Sequence, residues 1–379
     1  MEKKVLIVAT VVKTHIAQFH YPTMKMLKEE GWTVEVAARN DYDNPKDCKI
    51  PYCDKYHDIP FERNPFSLGN IKVYRQLKKI IDEGHYDVVH CHTPVGGVLG
   101  RLASRKARKN GTKVFYTAHG FHFYKGAPLI NWILWYPVEK ICGRMTDVLI
   151  TINKEDYDRA SKHIKAKRVE YVHGAGLVVD KFKDTIIDRD KKRDEIGVPR
   201  DSLVILSVGE LNKNKNHKIV IEALSKMKKD GFFLDYDVHY VIAGGGELKD
   251  YLMKLPKELN VDERVHVLGR RSDVAELCKA SDLFVFPSLR EGLGIAAVEA
   301  LASGIDAICA KNRGSKEFMQ GRLKELLFEN NNLESLHNIL KTSIENFDRE
   351  KLPKEDNIKI AEKYSVQIVN SELKDIYYN

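Results

Sequence analysis
The chain has 379 residues, 43% of them hydrophobic and 31% charged, and a formal net charge of +8. These values fit a soluble protein with packed cores in two or three domains. They exclude a membrane-spanning class, because no segment reaches the ~18 uninterrupted apolar residues of a span.

The six cysteines, Cys48, Cys53, Cys91, Cys142, Cys278 and Cys309, are scattered without paired ligand spacing. Reduced thiols in a cytoplasmic protein are expected. Lys3-Lys4 ahead of Val5–Val12 imitates a signal peptide. The apolar run is short and meets Lys13 and His15, so a first buried strand is the expectation.

Strands are predicted at Val5–Ala9, Thr33–Ala37, Tyr86–Cys91, Lys113–Ala118, Asp147–Ile152 and Arg168–Val172. Helical patterns separate them at His15–Glu30, Ile71–Glu83, Val95–Arg108, Pro128–Gly143 and Lys154–Lys162. This alternation predicts a mostly parallel sheet wrapped on both faces. The charged stretch Lys181–Glu195 interrupts the rhythm and reads as the approach to a second domain. The rhythm resumes with Leu203–Val208, the helix Lys215–Lys229, Val238–Ala243, the glycine turn Gly244–Gly246, Val265–Leu268 and the helix Asp273–Ala280. Domains over residues 1–182 and 196–357 follow, and two doubly wound domains predict a ligand cleft between them. The tail Ile358–Tyr377 is helical and partly amphipathic.

The most informative stretch runs from Phe284 to Ala300. A short apolar run preceded by Asp282 reads as a buried strand, ended by Pro287 and Ser288. Gly292 and Gly294 supply a tight turn into an alanine-rich helix, Ile295–Ser303, which Gly304 closes. Free amides at such a helix start form an anion site. Glu291 stands before the helix and Glu299 more than a turn inside it, and sugar hydroxyls are good partners for carboxylates beside a phosphate. The stretch predicts a site for a phosphate attached to a polyol.

Glu291 and Glu299, framed by Pro-Ser-x-x-Glu-Gly-x-Gly and Ala-Ser-Gly, resemble the signature of family-4 retaining glycosyltransferases, the glycosyl transferases group 1 of capsule and exopolysaccharide type. The resemblance covers most of the chain, most strongly residues 203–304 and 86–155. It implies a GT-B fold with two Rossmann-like domains facing a central cleft, and a tail, residues 358–379, crossing back to the first domain. It implies that Glu291 holds donor-sugar hydroxyls, Glu299 the ribose, and the amides of Gly292, Leu293 and Gly294 the diphosphate. His119, in an Ala-His-Gly just past a strand end, matches a histidine beside the donor sugar. Lys215 matches a diphosphate-binding lysine. The family's arginine is replaced by Glu210, which leaves Lys213 to compensate. Arg271 falls in the base-contacting loop. Further departures are Asp306 for the usual proline and a turn Ala9–His15 without glycine.

The resemblance thus implies a metal-independent hexosyltransferase that moves sugar from a UDP-sugar to a saccharide or lipid-linked saccharide, by front-face displacement without a covalent intermediate. No cofactor and no metal site is expected. His90 and His92 share one face of a strand, but no ligand set of established spacing accompanies them. Two alternatives are a nucleotide-sugar epimerase, which needs no acceptor, and a non-catalytic sugar-nucleotide or membrane-surface binding protein.

Val88–Val138 contains no Asp or Glu and seven Lys or Arg. Arg101, Arg105 and Arg108 are expected on one helix face, near Trp132 and Trp135. Basic residues beside aromatics predict docking on an anionic membrane surface, the inner face of the cell membrane, rather than nucleic acid.

Overall fold
The computed structural model describes residues 3–379. It divides into two units, one comprising residues up to Gly176 together with Val366–Asn379, the other Leu177–Ser365.

The first unit contains β1 (Lys4–Val11), β2 (Thr33–Arg39), β3 (Lys55–Asp58), β4 (Val88–Cys91), β5 (Lys113–Ala118), β6 (Val148–Thr151) and β7 (Arg168–Tyr171). They form one parallel sheet in the order β3-β2-β1-β4-β5-β6-β7. β1, β4 and β6 are near-continuous apolar runs because helices cover both of their faces. β3, Lys-Tyr-His-Asp, is a polar edge strand without an apolar signal, which is why it escapes prediction.

The second unit contains β8 (Leu203–Val208), β9 (Val238–Ala243), β10 (Val265–Gly269), β11 (Leu283–Phe286), β12 (Asp306–Ala310) and β13 (Leu327–Phe328). These are parallel in the order β10-β9-β8-β11-β12-β13. In both sheets the chain winds outward from the first strand and then reverses. The crevices at the carboxyl ends of β1/β4 and β8/β11 are therefore the natural ligand positions.

The expected divisions at 182 and 196 shift. The charged stretch read as the approach to a second domain lies inside the second unit, where Arg189–Ile196 is a helix. Its Arg193 is fully buried and donates to Asp282 Oδ2 at 2.7 Å and to the carbonyls of Ala280 and Ser202. The tail is two helices, Glu355–Glu362 in the second unit and Val366–Tyr378 in the first. The latter buries Val369, Leu373, Ile376 and Tyr377 and bonds the Tyr377 hydroxyl to His90 Nδ1 at 2.7 Å.

The proposed basic face is overturned. The expected helix Val95–Arg108 breaks at Ser104 into Pro94–Ala103 and Arg105–Lys109. Arg101 is fully buried and forms a two-pronged pair with Glu139, Nη1 to Oε2 at 2.8 Å and Nη2 to Oε1 at 3.1 Å. Its guanidinium lies 3.8 Å from the Tyr116 ring centre. Arg108 is taken up by Asp147, at 2.9 and 3.0 Å, which leaves Arg105 as the exposed member of the three. Trp132 and Trp135 are also turned partly inward against the core of the first unit. Arg101 and Arg108 each find a carboxylate beyond the acid-free stretch, Glu139 and Asp147, a partner that spacing along one helix does not reveal.

Removing one partner of a buried pair leaves the other charge uncompensated, at a cost of about 3–5 kcal/mol. Arg101→Leu should lower the unfolding free energy by that order, seen as a lower urea midpoint at unchanged m, and Arg101→Leu/Glu139→Leu should recover most of it. Urea unfolding of the two variants checks this.

Candidate active site
In the second unit, three loops meet at the carboxyl ends of β8, β11 and β12. The first, after β8, is shaped by its asparagines: Lys215 N–H donates to Asn212 Oδ1 at 3.0 Å. Asn214 clamps this loop to the next one, its carbonyl accepting from Leu289 N–H at 2.8 Å and its amide donating to the Arg290 carbonyl at 2.9 Å. The helix predicted from Lys215 begins at Lys218, so Lys215 lies on the loop. The Gly244–Gly246 turn serves packing, since a Cβ at Gly244 would stand 1.8 Å from the Gly209 carbonyl oxygen.

The clamp delivers Lys215 to Glu291, with Nζ 2.7 Å from Oε1. The ammonium also stands 4.9 Å from the centre of the Phe286 ring. Two residues 76 apart in sequence are thus joined at the β8/β11 reversal. Beside them, Gly294 caps the helix Ile295–Ala302 with φ +98°, and a Cβ there would come 2.7 Å from the Phe286 ring. Only glycine serves this turn. Ala297 N–H donates to the Gly294 carbonyl at 3.0 Å, while the amides of Ile295 and Ala296 stand at the helix start where an anion can accept from them.

The third loop escapes the sequence. Asn312 donates to the Ser288 carbonyl at 2.9 Å, and Arg313 Nε donates to the Glu291 carbonyl at 3.2 Å. A Cβ at Gly314 would stand 2.6 Å from the Leu293 carbonyl oxygen. These residues support the Glu291–Leu293 backbone from below. The strand that ends at them, β12, reads Asp-Ala-Ile-Cys-Ala, whose alanines carry little strand preference and so do not announce it.

Glu299 is partly buried on the same helix. Burial raises its carboxyl to about 7, against the opposing pull of Lys181. Gly292 and Leu293 lie in the turn, and Lys213 is exposed beside it. Arg271 is held by Asp273 and Glu195, so its guanidinium is committed to ion pairs within the second unit.

In the first unit, His119 follows β5, as expected. The structure surrounds it with imidazoles that sequence spacing did not join: its Nε2 is 3.4 Å from His92 Nδ1, and its ring centre is 4.9 Å from that of His15. Burial holds His119 down at about 4. A cavity of about 310 Å³ opens alongside, lined by His15, Thr93, His119, His122, Trp135 and Glu139 among others. The His122 and Trp135 rings stack there at 4.8 Å.

Two parallel Rossmann-like sheets, each with polar residues at its point of reversal, define the GT-B fold class. The chain belongs to the glycosyl transferases group 1 family. It matches that family over residues 188–359 and the glycosyl transferase 4-like family over residues 4–153. It is 44% identical over 322 residues to EpsD of Bacillus subtilis (strain 168), a glycosyltransferase by name, covering 84% of this chain and 82% of that one. It is 29% identical over 317 residues to the UDP-Gal:alpha-D-GlcNAc-diphosphoundecaprenol alpha-1,3-galactosyltransferase of Escherichia coli, covering 83% and 81%. Anabaena Alr3699/HepE, solved with UDP and glucose, has the same fold, with a TM-score of 0.79 at 20% identity over 100% of both chains.

The raised Glu299 carboxyl has a consequence for stability. Its folded value lies above the ordinary 4.5, so the folded state holds the proton better than the unfolded one. This contribution is full at pH 4 and is lost as pH rises through about 7. Glu299→Gln should therefore melt with the parent at pH 4 and above it at pH 8. Thermal unfolding at both pH values checks the sign.

Proposed function
We propose that this chain is a retaining hexosyltransferase that moves a sugar from a UDP-sugar to a saccharide or lipid-linked saccharide in surface polysaccharide synthesis. The observation that carries the proposal is the Lys215–Glu291 pair beside the Gly294-capped helix start. It sets a cation, a carboxylate and helix-start amides around one small volume, which suits a phosphate bonded to a polyol. The activity for which the Escherichia coli relative is named, and the UDP and glucose in the HepE structure, support this donor and acceptor class.

In this reading Lys215 and the amides of Gly292–Gly294 stabilise the departing diphosphate, Glu291 binds sugar hydroxyls and Glu299 binds the ribose. Retention proceeds by front-face displacement, in which the new glycosidic bond forms on the face the diphosphate leaves. The leaving phosphate oxygen takes the acceptor's hydroxyl proton. Catalysis then rests on positioning and on leaving-group stabilisation. Loss of one charged hydrogen bond costs roughly 1.5–3 kcal/mol. Glu299→Ala should weaken UDP binding by that order, while Glu291→Ala should spare UDP affinity and lower transfer. Lys215→Ala should lower turnover sharply. UDP affinity should be the same with and without added magnesium or manganese. Calorimetry with UDP and transfer assays over a panel of UDP-sugars and acceptors test the set; unchanged UDP binding in Glu299→Ala removes the ribose assignment.

We further propose that an anionic lipid surface meets the first unit at the helix Leu129–Gly143. Leu129, Ile130 and Ile133 of this helix are 73, 56 and 59% exposed. Its one acid, Glu139, is neutralised inside by Arg101, while Lys125, Lys140 and Arg144 around it are exposed. The loop before the helix Gly69–Gly84 adds Phe66 and Leu68, which share a cavity of about 410 Å³ with Leu99 and Leu102. Apolar side chains ringed by exposed cations suit insertion between anionic headgroups. Among the described residues, no helix is long and apolar enough to cross a membrane. Ile130→Asp/Ile133→Asp should abolish sedimentation with phosphatidylglycerol vesicles while leaving UDP affinity intact; equal sedimentation of variant and parent removes this surface.

A further inference from the structure
The first unit gathers histidines at its own point of strand reversal. β1 ends at Val11 and runs into a wide turn, Val12–Ile16, which carries His15. His20 follows at the start of the helix Tyr21–Glu29. β4 ends at Cys91 and β5 at Ala118, which places His92 and His119 one residue beyond neighbouring strand ends. One ring nitrogen from each of His15, His20, His92 and His119 lies within 4.8 Å of the other three. His20 and His92 are buried, and His15 and His119 are partly so.

The separations are informative. His15 Nε2 and His20 Nε2 are 3.1 Å apart, and His119 Nε2 and His92 Nδ1 are 3.4 Å apart. A zinc–nitrogen bond of about 2.0–2.1 Å gives a ligand tetrahedron with edges of about 3.3–3.4 Å. Two opposite edges of such a tetrahedron are therefore already close to length. The other pairs lie within 4.8 Å and close by ring rotation about the soft Cβ–Cγ torsion. The fifth histidine of the region, His90, has both nitrogens occupied, by the Tyr377 hydroxyl at 2.7 Å and Thr117 Oγ1 at 2.8 Å. It packs 4.2 Å from His92, ring centre to ring centre, as support and not as a ligand.

We propose that His15, His20, His92 and His119 form a four-coordinate site for a borderline divalent transition metal, with Zn²⁺ as its best-fitting occupant. Imidazole is the ligand type for such ions, and four protein ligands without an open position make a structural site. Imidazole ligates through the lone pair of an unprotonated ring nitrogen, and each of the four rings turns one nitrogen into the cluster. Burying four imidazoles is costly unless their nitrogens are satisfied, and one cation satisfies four lone pairs at once. The ion would cross-link the turn after β1 to the ends of β4 and β5, three segments that lack any shared hydrogen-bond ladder beyond their strands. All four ligands belong to the first unit, so this inference stands apart from the Lys215–Glu291 site. His119 coordinated through Nε2 keeps Nδ1–H as a donor, which leaves its sugar-contacting role open.

The test uses the full chain, stripped with a chelator and checked for folding by circular dichroism. Titration with Zn²⁺ against a chromophoric competitor should show one ion bound per chain, and Co²⁺ should give the intense visible bands of a tetrahedral complex. His15→Ala and His20→Ala should each lose the stoichiometric uptake, while His122→Ala, which alters a neighbouring histidine outside the cluster, should retain it. His15 lies on a partly exposed turn, so its variant serves even if His20→Ala fails to fold. Absence of uptake by the folded parent, uptake unchanged in His15→Ala, or only the weak bands of octahedral Co²⁺ would overturn the proposal and leave the histidines as hydrogen-bonded pairs. UDP affinity, measured on the same samples, separates this result from the fate of the donor site.

Discussion
The structure depends on one topological constraint, the reversal of strand order in each parallel sheet. A parallel strand cannot return by a hairpin, so the chain must cross over one face, by a helix in most of the connections here, and the winding direction decides which face. Where the direction changes, two neighbouring strands send their following loops apart. In the second unit this happens between β8 and β11, and the parted loops bring Lys215 and Glu291 together. In the first unit it happens between β1 and β4, and the loops there carry His15 and His92. The same geometry thus supplies both polar centres of the molecule, although their chemistry differs.

Charge in this protein is largely structural. Arg193 and Arg349 converge on the buried Asp282, whose carboxylate also accepts from Val204 N–H at 2.7 Å. Asp147 plays the same part in the first unit, accepting from Val114 N–H and from Arg108. Each aspartate stands immediately before a strand and ties its start to a neighbouring strand and to a helix. Such residues read as solvated charge in a linear view and behave as fasteners in the fold. The effect on the surface is the reverse of what composition suggests: the helix Leu129–Gly143 presents isoleucine and leucine outward and keeps its glutamate inside.

The ion pair of Lys215 and Glu291 also shapes the polar centre of the second unit. A lysine alone beside helix-start amides adds positive charge to positive potential, which the carboxylate offsets. Pairing removes the freedom of a long side chain and holds the ammonium beside the glycine turn. Asn212, Asn214 and Asn312 do the corresponding work on the backbone, with side-chain amides standing in for the ladder bonds that loops lack.

Much of this protein was determined by the sequence alone. Apolar runs separated by helical periods specified alternating strands and helices, and β5 is read to the residue because a buried parallel strand is a continuous hydrophobic word. The frame of glycines and glutamates from Pro287 to Gly304 identified the family, since the tight turn and the capped helix need those residue types at those positions. Tertiary structure decided what depends on convergence. Arg101 could not be known as a buried residue until Glu139 was placed beside it, because burial of a charge depends on a partner 38 residues away. The loop Asn312–Ser315 and the four-histidine cluster were hidden for the same reason. Their members come from strand ends that only the order of the sheet makes neighbours, and strand order leaves no local mark in the chain.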